Sequence, residues 1–242
     1  GIFIIMFSVI SSGMVAVMTQ NIGAGRPGVA YQARQLGLAF NAVLGVIMSL
    51  FLSLGAGTIL SGVGVADALM QPARTYLQIV GGFCILNALI PICSSYLRAF
   101  GFSKEPLYAS IIGNVINFCL NAFFLFVLHK GVAGVATATV ISRIINLVIV
   151  VLLGAVLVKA KQHPERESNR AVMGQIIRIG LPSACETAIY NVSMTLVIRF
   201  LNQMDAQGLN VTARSYTMQI TNFSYCVGAA LAQANAIMTG WH

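Results

Sequence analysis

Three asparagines, Asn114, Asn117 and Asn121, recur at spacings of three and four, which puts them on one face of a helix. An amide ladder in an apolar stretch must turn toward protein or a water-filled cavity, because hydrocarbon offers it no hydrogen-bond partner. Its oxygens can ligate Na+, but an amide does not titrate. Glu186, four residues after Pro182, is a carboxylate that can bind a proton or a cation, or meet the charge of a substrate. Arg143 stands in the middle of an apolar run, where it can repel or position cations or pair with a carboxylate such as Glu186. Ionisable groups placed this way are functional candidates because burying them in a bilayer costs several kcal/mol on most scales, of order 3 kcal/mol or more.

The elements that must hold these groups are membrane helices. Of 242 residues, 57% are hydrophobic and 8% charged, where soluble domains carry about 25% charged residues. Residues 1–25, 35–66, 75–97, 107–128 and 215–242 contain no Asp, Glu, Lys or Arg. Two more apolar stretches, 132–158 and 176–204, are interrupted only by Arg143 in the first and by Arg178, near its start, Glu186 and Arg199 in the second. About 20 apolar residues suffice to cross a hydrocarbon core of about 30 Å. Seven spans follow, and their length without strict alternation excludes a barrel. The expected class is an all-α polytopic membrane protein.

The formal net charge of +8 reports topology rather than a nucleic-acid partner. Loops taken alternately along the chain carry Arg26, Arg34, Arg98, Lys104, Lys159, Lys161, Arg166, Arg170 and Arg178 on one side, and Arg74, Lys130 and Arg214 on the other. The richer side is expected to be cytoplasmic, with the chain start outside, its end inside, and the protein in the cell inner (plasma) membrane. Arg199, close to an outer end, reads as an interfacial anchor.

Punctuation separates the spans: Gly23, Gly25 and Pro27, then Pro72, then Gly101 and Pro106, then Gly131. Pro91, inside the third span, is expected to kink it. The polar segment 159–178 reads as a cytoplasmic linker between a first bundle, 1–158, and the first two helices of a second, 179–242. The five cysteines fall in apolar spans without metal-ligand spacing and read as small hydrophobes. Both ends look cut, as in a fragment.

A shift of 220 residues aligns Ala16, Met18 and Thr19 with Ala236, Met238 and Thr239, and Phe3 with Phe223. It also aligns the small-residue stripe Ser8, Ser12 and Ala16 with Gly228, Ala232 and Ala236, a pattern that lets membrane helices approach closely. Both copies run the same way across the membrane, which predicts a parallel repeat about an axis along the membrane normal. Six helices per period predict about twelve spans in two bundles.

QNIGAG at 20–25, NFCLN at 117–121, GVAGVATATVIS at 131–142 and IGLPSACE at 179–186 resemble the multidrug and toxic compound extrusion (MATE) family, from its second helix through its eighth. The resemblance implies two six-helix bundles around a central cavity. It implies a secondary active antiporter exporting amphipathic or cationic small molecules against Na+ or H+ by alternating access, with no cofactor beyond that ion. A lipid bilayer and the transported compounds are the expected partners, and a monomer the expected state. In relatives the position of Asn121 is often Asp, with a threonine of the next helix nearby; Thr137 and Thr139 are the candidates here. A Glu or Gln often stands at the position of Glu186, and in one branch a cation-binding Glu stands where this chain has Tyr190. Relatives commonly have Gln at the position of Arg143. A lipid-linked oligosaccharide flippase of the same superfamily is the nearest alternative.

A seven-helix receptor is the alternative of another class. Retinal would need a lysine within a span, and Lys104, Lys130, Lys159 and Lys161 all lie at loops. Enzyme chemistry lacks its groups, since His129, His163 and His242 sit at loops or the terminus.

Overall fold

The computed structural model describes residues 2–63, 67–158, 167–204 and 209–241. Among the described residues nine α-helices follow in order: α1 (Ile2–Gly23), α2 (Pro27–Leu54), α3 (Ala56–Val63), α4 (Asp67–Gly82), α5 (Cys84–Ala99), α6 (Lys104–Ala122), α7 (Gly131–Leu157), α8 (Asn169–Met204) and α9 (Leu209–Trp241). A π-helical turn, Phe123–Val127, prolongs α6. The seven expected spans correspond to α1, α2 with α3, α4 with α5, α6, α7, α8 and α9. By length and composition alone α2, α6 with its π turn, and α7 qualify as spans, and the pair Met70–Gly82 and Cys84–Ala99 qualifies as one span bent by 42°.

The turns follow their glycines and prolines. Gly25 has φ +73° and Pro27 opens α2 at a position whose N–H would have no helical acceptor. Arg26 N donates to Asn21 O at 2.8 Å and Gly25 N to Ile22 O at 3.0 Å, closing the end of α1. This turn falls at Gly23, Gly25 and Pro27, the punctuation expected between the first two spans. Both Pro72 and Pro91 lie within helices. Pro72 lies inside α4, and α5 runs unbroken through Pro91. The third span breaks at Phe83 instead, beside Gly81 and Gly82, and the second at Gly55.

A stripe on α2 explains how the broken span is held. Gly37, Asn41, Gly45 and Ser49 recur every four residues and are all buried. A side chain at Gly45 would meet the Ile85 Cα at 2.8 Å, so only glycine admits this approach. Ile85 N, left without a helical acceptor at the start of α5, donates to Ser49 Oγ at 3.2 Å. Asn41 Nδ2 reaches Ala88 O at 3.4 Å.

We call the end of the molecule that carries the 24–26 turn the near end, and the end that carries residues 128–130 the far end. The main core, including Met14 and Met18 of α1, Ala30 and Ala33 of α2, Tyr96 and Leu97 of α5, Val150 of α7 and Ile176 of α8, lies toward the near end. A smaller cluster of Phe7, Cys84 and Ala88 lies farther out. Large apolar side chains such as Val43, Leu50, Phe118, Phe126, Leu152 and Val156 are exposed, forming the surface a bilayer would solvate.

Two boundaries differ from the sequence reading. Helix α8 already begins at Asn169, so the second half of the polar segment is helical, whereas 159–166 lies outside the described residues. Arg34, counted with the first loop, lies two turns inside α2.

Candidate functional site

Helices α6 and α7 run antiparallel, and their polar residues meet in register. Asn117 Nδ2 donates to Ser142 Oγ at 3.3 Å, and Asn121 Nδ2 to Asn117 Oδ1 at 3.1 Å. Ser142 Oγ in turn donates to Thr139 O at 2.9 Å. One turn along, a side chain at Gly113 would meet Asn146 Cβ at 3.3 Å. The missing side chain lets the helices close around a polar pocket of about 130 Å³ lined by Gly113, Asn114, Asn117, Thr139, Ser142, Arg143 and Asn146. Thr139, Ser142 and Asn146 repeat on α7 the three-and-four spacing that Asn114, Asn117 and Asn121 have on α6.

Asn114, Asn117, Thr139 and Arg143 thus come together as expected residues of one site. Thr137 does not join them and spends its hydroxyl on Ala133 O at 2.8 Å. Asn121 stands just beyond the pocket, joined through Asn117. Ser142 and Asn146 were missed; the signal was their spacing from Thr139, the same as in the asparagine ladder. The Oδ1 atoms of Asn121 and Asn146 are buried without a hydrogen-bond partner. Amide and hydroxyl oxygens of this kind are hard donors suited to a small cation.

Glu186 and Tyr190, one turn apart on α8, are both exposed. Glu186 lies six residues beyond Gly180, about 9 Å along the helix toward the far end. The expected pairing of Glu186 with Arg143 does not occur: among the described residues the recorded ion pair is Arg26 with Glu167. The two groups belong to different helix pairs, Arg143 on α7 packed with α6, and Glu186 on α8 packed with α1. Arg199's side chain lies outside the described residues.

The contacts of α8 and α9 with α1, and of α8 with α2, gather toward the near end. On α8 the buried residues Val172, Ile176, Gly180 and Ala184 form a stripe every four residues. Gly13 of α1 meets this stripe so closely that a side chain there would overlap Ile176 O and stand 2.9 Å from Gly180 N. Farther along, Ile189, Val192, Leu196 and Phe200 are exposed. Gly240 of α9 sits against Thr19, where an added side chain would meet Thr19 Cβ at 2.6 Å. Beside that contact is a cleft of about 640 Å³, lined on α1 by Val15, Ala16, Thr19 and Gln20 among others, and on α9 by Asn235, Ala236, Thr239 and Gly240. The four α9 positions are those four α1 positions shifted by 220. The repeat read from the sequence is therefore also a spatial relation, with equivalent positions facing each other. The small stripe contacts only at its near end, since Ala232 is exposed and Gly228 faces open space.

A latch joins the start of α8 to α2. Arg26 Nη1 donates to Glu167 Oε1 at 2.6 Å. The buried Gln32 pairs with the Glu167 backbone twice, Nε2 donating to Glu167 O at 2.7 Å and Oε1 accepting from Glu167 N at 3.1 Å.

Comparison with known proteins gives a consistent picture. The MatE family model matches residues 1–123. "Uncharacterized transporter YisQ" of Bacillus subtilis is 31% identical over 245 residues, covering 99% of this chain and 53% of its own length. A multidrug resistance MATE family transporter of the MOP superfamily superposes in its outward-facing conformation with a TM-score of 0.81 at 18% identity, over 98% of this chain and 53% of that one. A structure described as the inward-facing conformation of such a transporter gives 0.64 at 19% identity, over 75% of this chain and 42% of that one. The chain spans about half the length of these similar proteins.

Proposed function

Because this chain belongs to the MATE family of transporters, we propose that it serves a secondary active antiporter that exports amphipathic or cationic compounds in exchange for an inward-moving cation. The observation that carries this reading is the close contact of α8 and α9 with α1 in the near-end half, Gly13 against Ile176 and Gly180 and Gly240 against Thr19. Helices closed at one membrane face and splayed toward the other form one half-cycle of alternating access. With the near end cytoplasmic, as its positive charge favours, the conformation faces outward. The closer superposition on an outward-facing relative supports the same assignment.

The α6–α7 pocket favours Na+ over a proton at that place, since its donors are neutral oxygens and its ionisable member is an arginine. Glu186, without a hydrogen bond or ion pair to a described residue, is an exposed carboxylate of α8 open to a cation or to the charge of a substrate. No cofactor beyond the coupling ion enters this scheme, and a monomer in the plasma membrane satisfies it. The test is efflux of a fluorescent organic cation from proteoliposomes holding the full-length transporter, driven by a Na+ or a pH gradient. Asn117→Ala is expected to lower Na+-driven efflux at least about tenfold, a rise of about 1.4 kcal/mol or more in the activation free energy of transport. Efflux unchanged in both Asn117→Ala and Glu186→Gln would overturn the assignment.

Arg143 in the pocket wall favours a second reading, a flippase for lipid-linked oligosaccharides whose anionic phosphates an arginine can hold. Flipping of such a lipid without cation efflux would select it.

A further inference from the structure

The first site does not use Arg34. This arginine lies seven residues into α2, about 10 Å from the near end of that helix. Its guanidinium carbon sits 4.5 Å from the centre of the Tyr96 ring and 5.9 Å from that of Tyr31. Its Nε is buried without a hydrogen-bond partner, and among the described residues no carboxylate lies within 4 Å. Tyr96 is 1% exposed, and its hydroxyl also lacks a hydrogen-bond partner. A cation within a membrane helix is expensive unless an anion or water balances it.

Arg34 also forms one end of a groove of about 380 Å³ between α2, α5 and α7. The rest of its wall is apolar, with Leu38 and Ala42 on α2, Leu89 and Cys93 on α5, and Leu147 and Val151 on α7. From Arg34 to Ala42 the groove runs about 12 Å toward the membrane centre. The other two helices line it over matching depths, Cys93 to Leu89 and Val151 to Leu147 each leading away from the near end. Charge therefore lies at the shallow end and hydrocarbon at the deep end, with Val151 37% exposed at the rim.

We propose that this groove binds one anionic phospholipid from the near-end leaflet, its phosphate on Arg34 and one acyl chain along the apolar wall. A guanidinium supplies several donors to a phosphate, and an arginine stem can reach from an apolar wall toward the headgroup level. Basic pockets between membrane helices on the cytoplasmic side are a general means of holding anionic headgroups. A zwitterionic lipid would offset its phosphate with its own amine, and a soluble phosphate would leave the apolar wall unused. The site is independent of the transport assignment, since it shares no residue with the α6–α7 pocket or with Glu186.

Native mass spectrometry of the full chain in mild detergent, titrated with phosphatidylglycerol or phosphatidylethanolamine, tests the proposal. One phosphatidylglycerol should be retained with at least about tenfold preference over phosphatidylethanolamine. Arg34→Gln should abolish the preference, Arg34→Lys should keep part of it, and Ala42→Phe should weaken phosphatidylglycerol while leaving the helical circular dichroism unchanged. Equal retention of the two lipids by the parent chain overturns the proposal, a result that needs no variant to fold. Unchanged preference in a folded Arg34→Gln, or displacement of the lipid by glycerol phosphate at equal concentration, overturns it as well.

Discussion

Gly13 of α1 rests directly on the backbone of α8 at Ile176, with no room for a side chain between the two helices. The obstacle is a carbonyl and an amide rather than the tip of a flexible side chain, so the helices themselves must part. Gly13→Ala should therefore destabilise the structure by about 1–3 kcal/mol, the usual range for overpacking. Thermal unfolding in detergent measures the loss, and an unchanged midpoint would contradict the close crossing.

Thr19 and Gly240 meet at the near end. In a cysteine-free background, the pair Thr19→Cys and Gly240→Cys should crosslink rapidly under mild oxidation. The crosslinked transporter should export at least about tenfold more slowly and recover on reduction, because this contact must open in an inward-facing state. Crosslinking without loss of export would mean that the near end does not part there.

The asparagine ladder lacks a titrating group. Asn121→Asp supplies one, a carboxyl group whose ordinary pKa is about 4. Above its pKa the new carboxylate is charged and attracts the cation; below it the charge is lost. Cation binding should accordingly weaken as pH falls through that pKa, a dependence the parent pocket lacks at this position. Efflux measured from pH 5 to 8 for the two proteins compares them directly.

The latch at Glu167 divides into a weak and a strong part. The Arg26 to Glu167 pair is half exposed on the arginine side, at 49%, and Glu167→Gln should cost under about 1 kcal/mol. Gln32 is buried and serves both backbone groups of Glu167, so Gln32→Ala should cost about 1–3 kcal/mol by leaving them unpaired. Chemical or thermal denaturation of the two variants ranks them.

The seven spans were legible in the sequence because charge-free runs of about 20 residues have few other uses. The breaks in the second and third spans were not. Pro72 and Pro91 drew attention as the residues that disrupt helices, yet the discontinuities fall at Gly55 and Phe83, where Ser49 and Gly45 of α2 shape the chain from outside. The ladder on α6 was visible from spacing alone. Its partners on α7 were only half visible: Thr139 was expected, but Ser142 and Asn146 emerge once the antiparallel register is known. The pairing of Arg143 with Glu186 failed because opposite charge says nothing about which helices adjoin. Arg34 was read as a loop charge, since a count of charges by segment does not record how deep each one sits.

The facing of equivalent positions on α1 and α9 has a consequence for how these two surfaces can change. In an interface between identical halves every substitution appears on both sides at once, so a residue must tolerate its own copy. Two copies in one chain are free of that condition. Position 20 is glutamine while its counterpart, Gly240, has no side chain and receives Thr19. One half is the hollow and the other the projection, a division of labour unavailable to a perfectly symmetric pair.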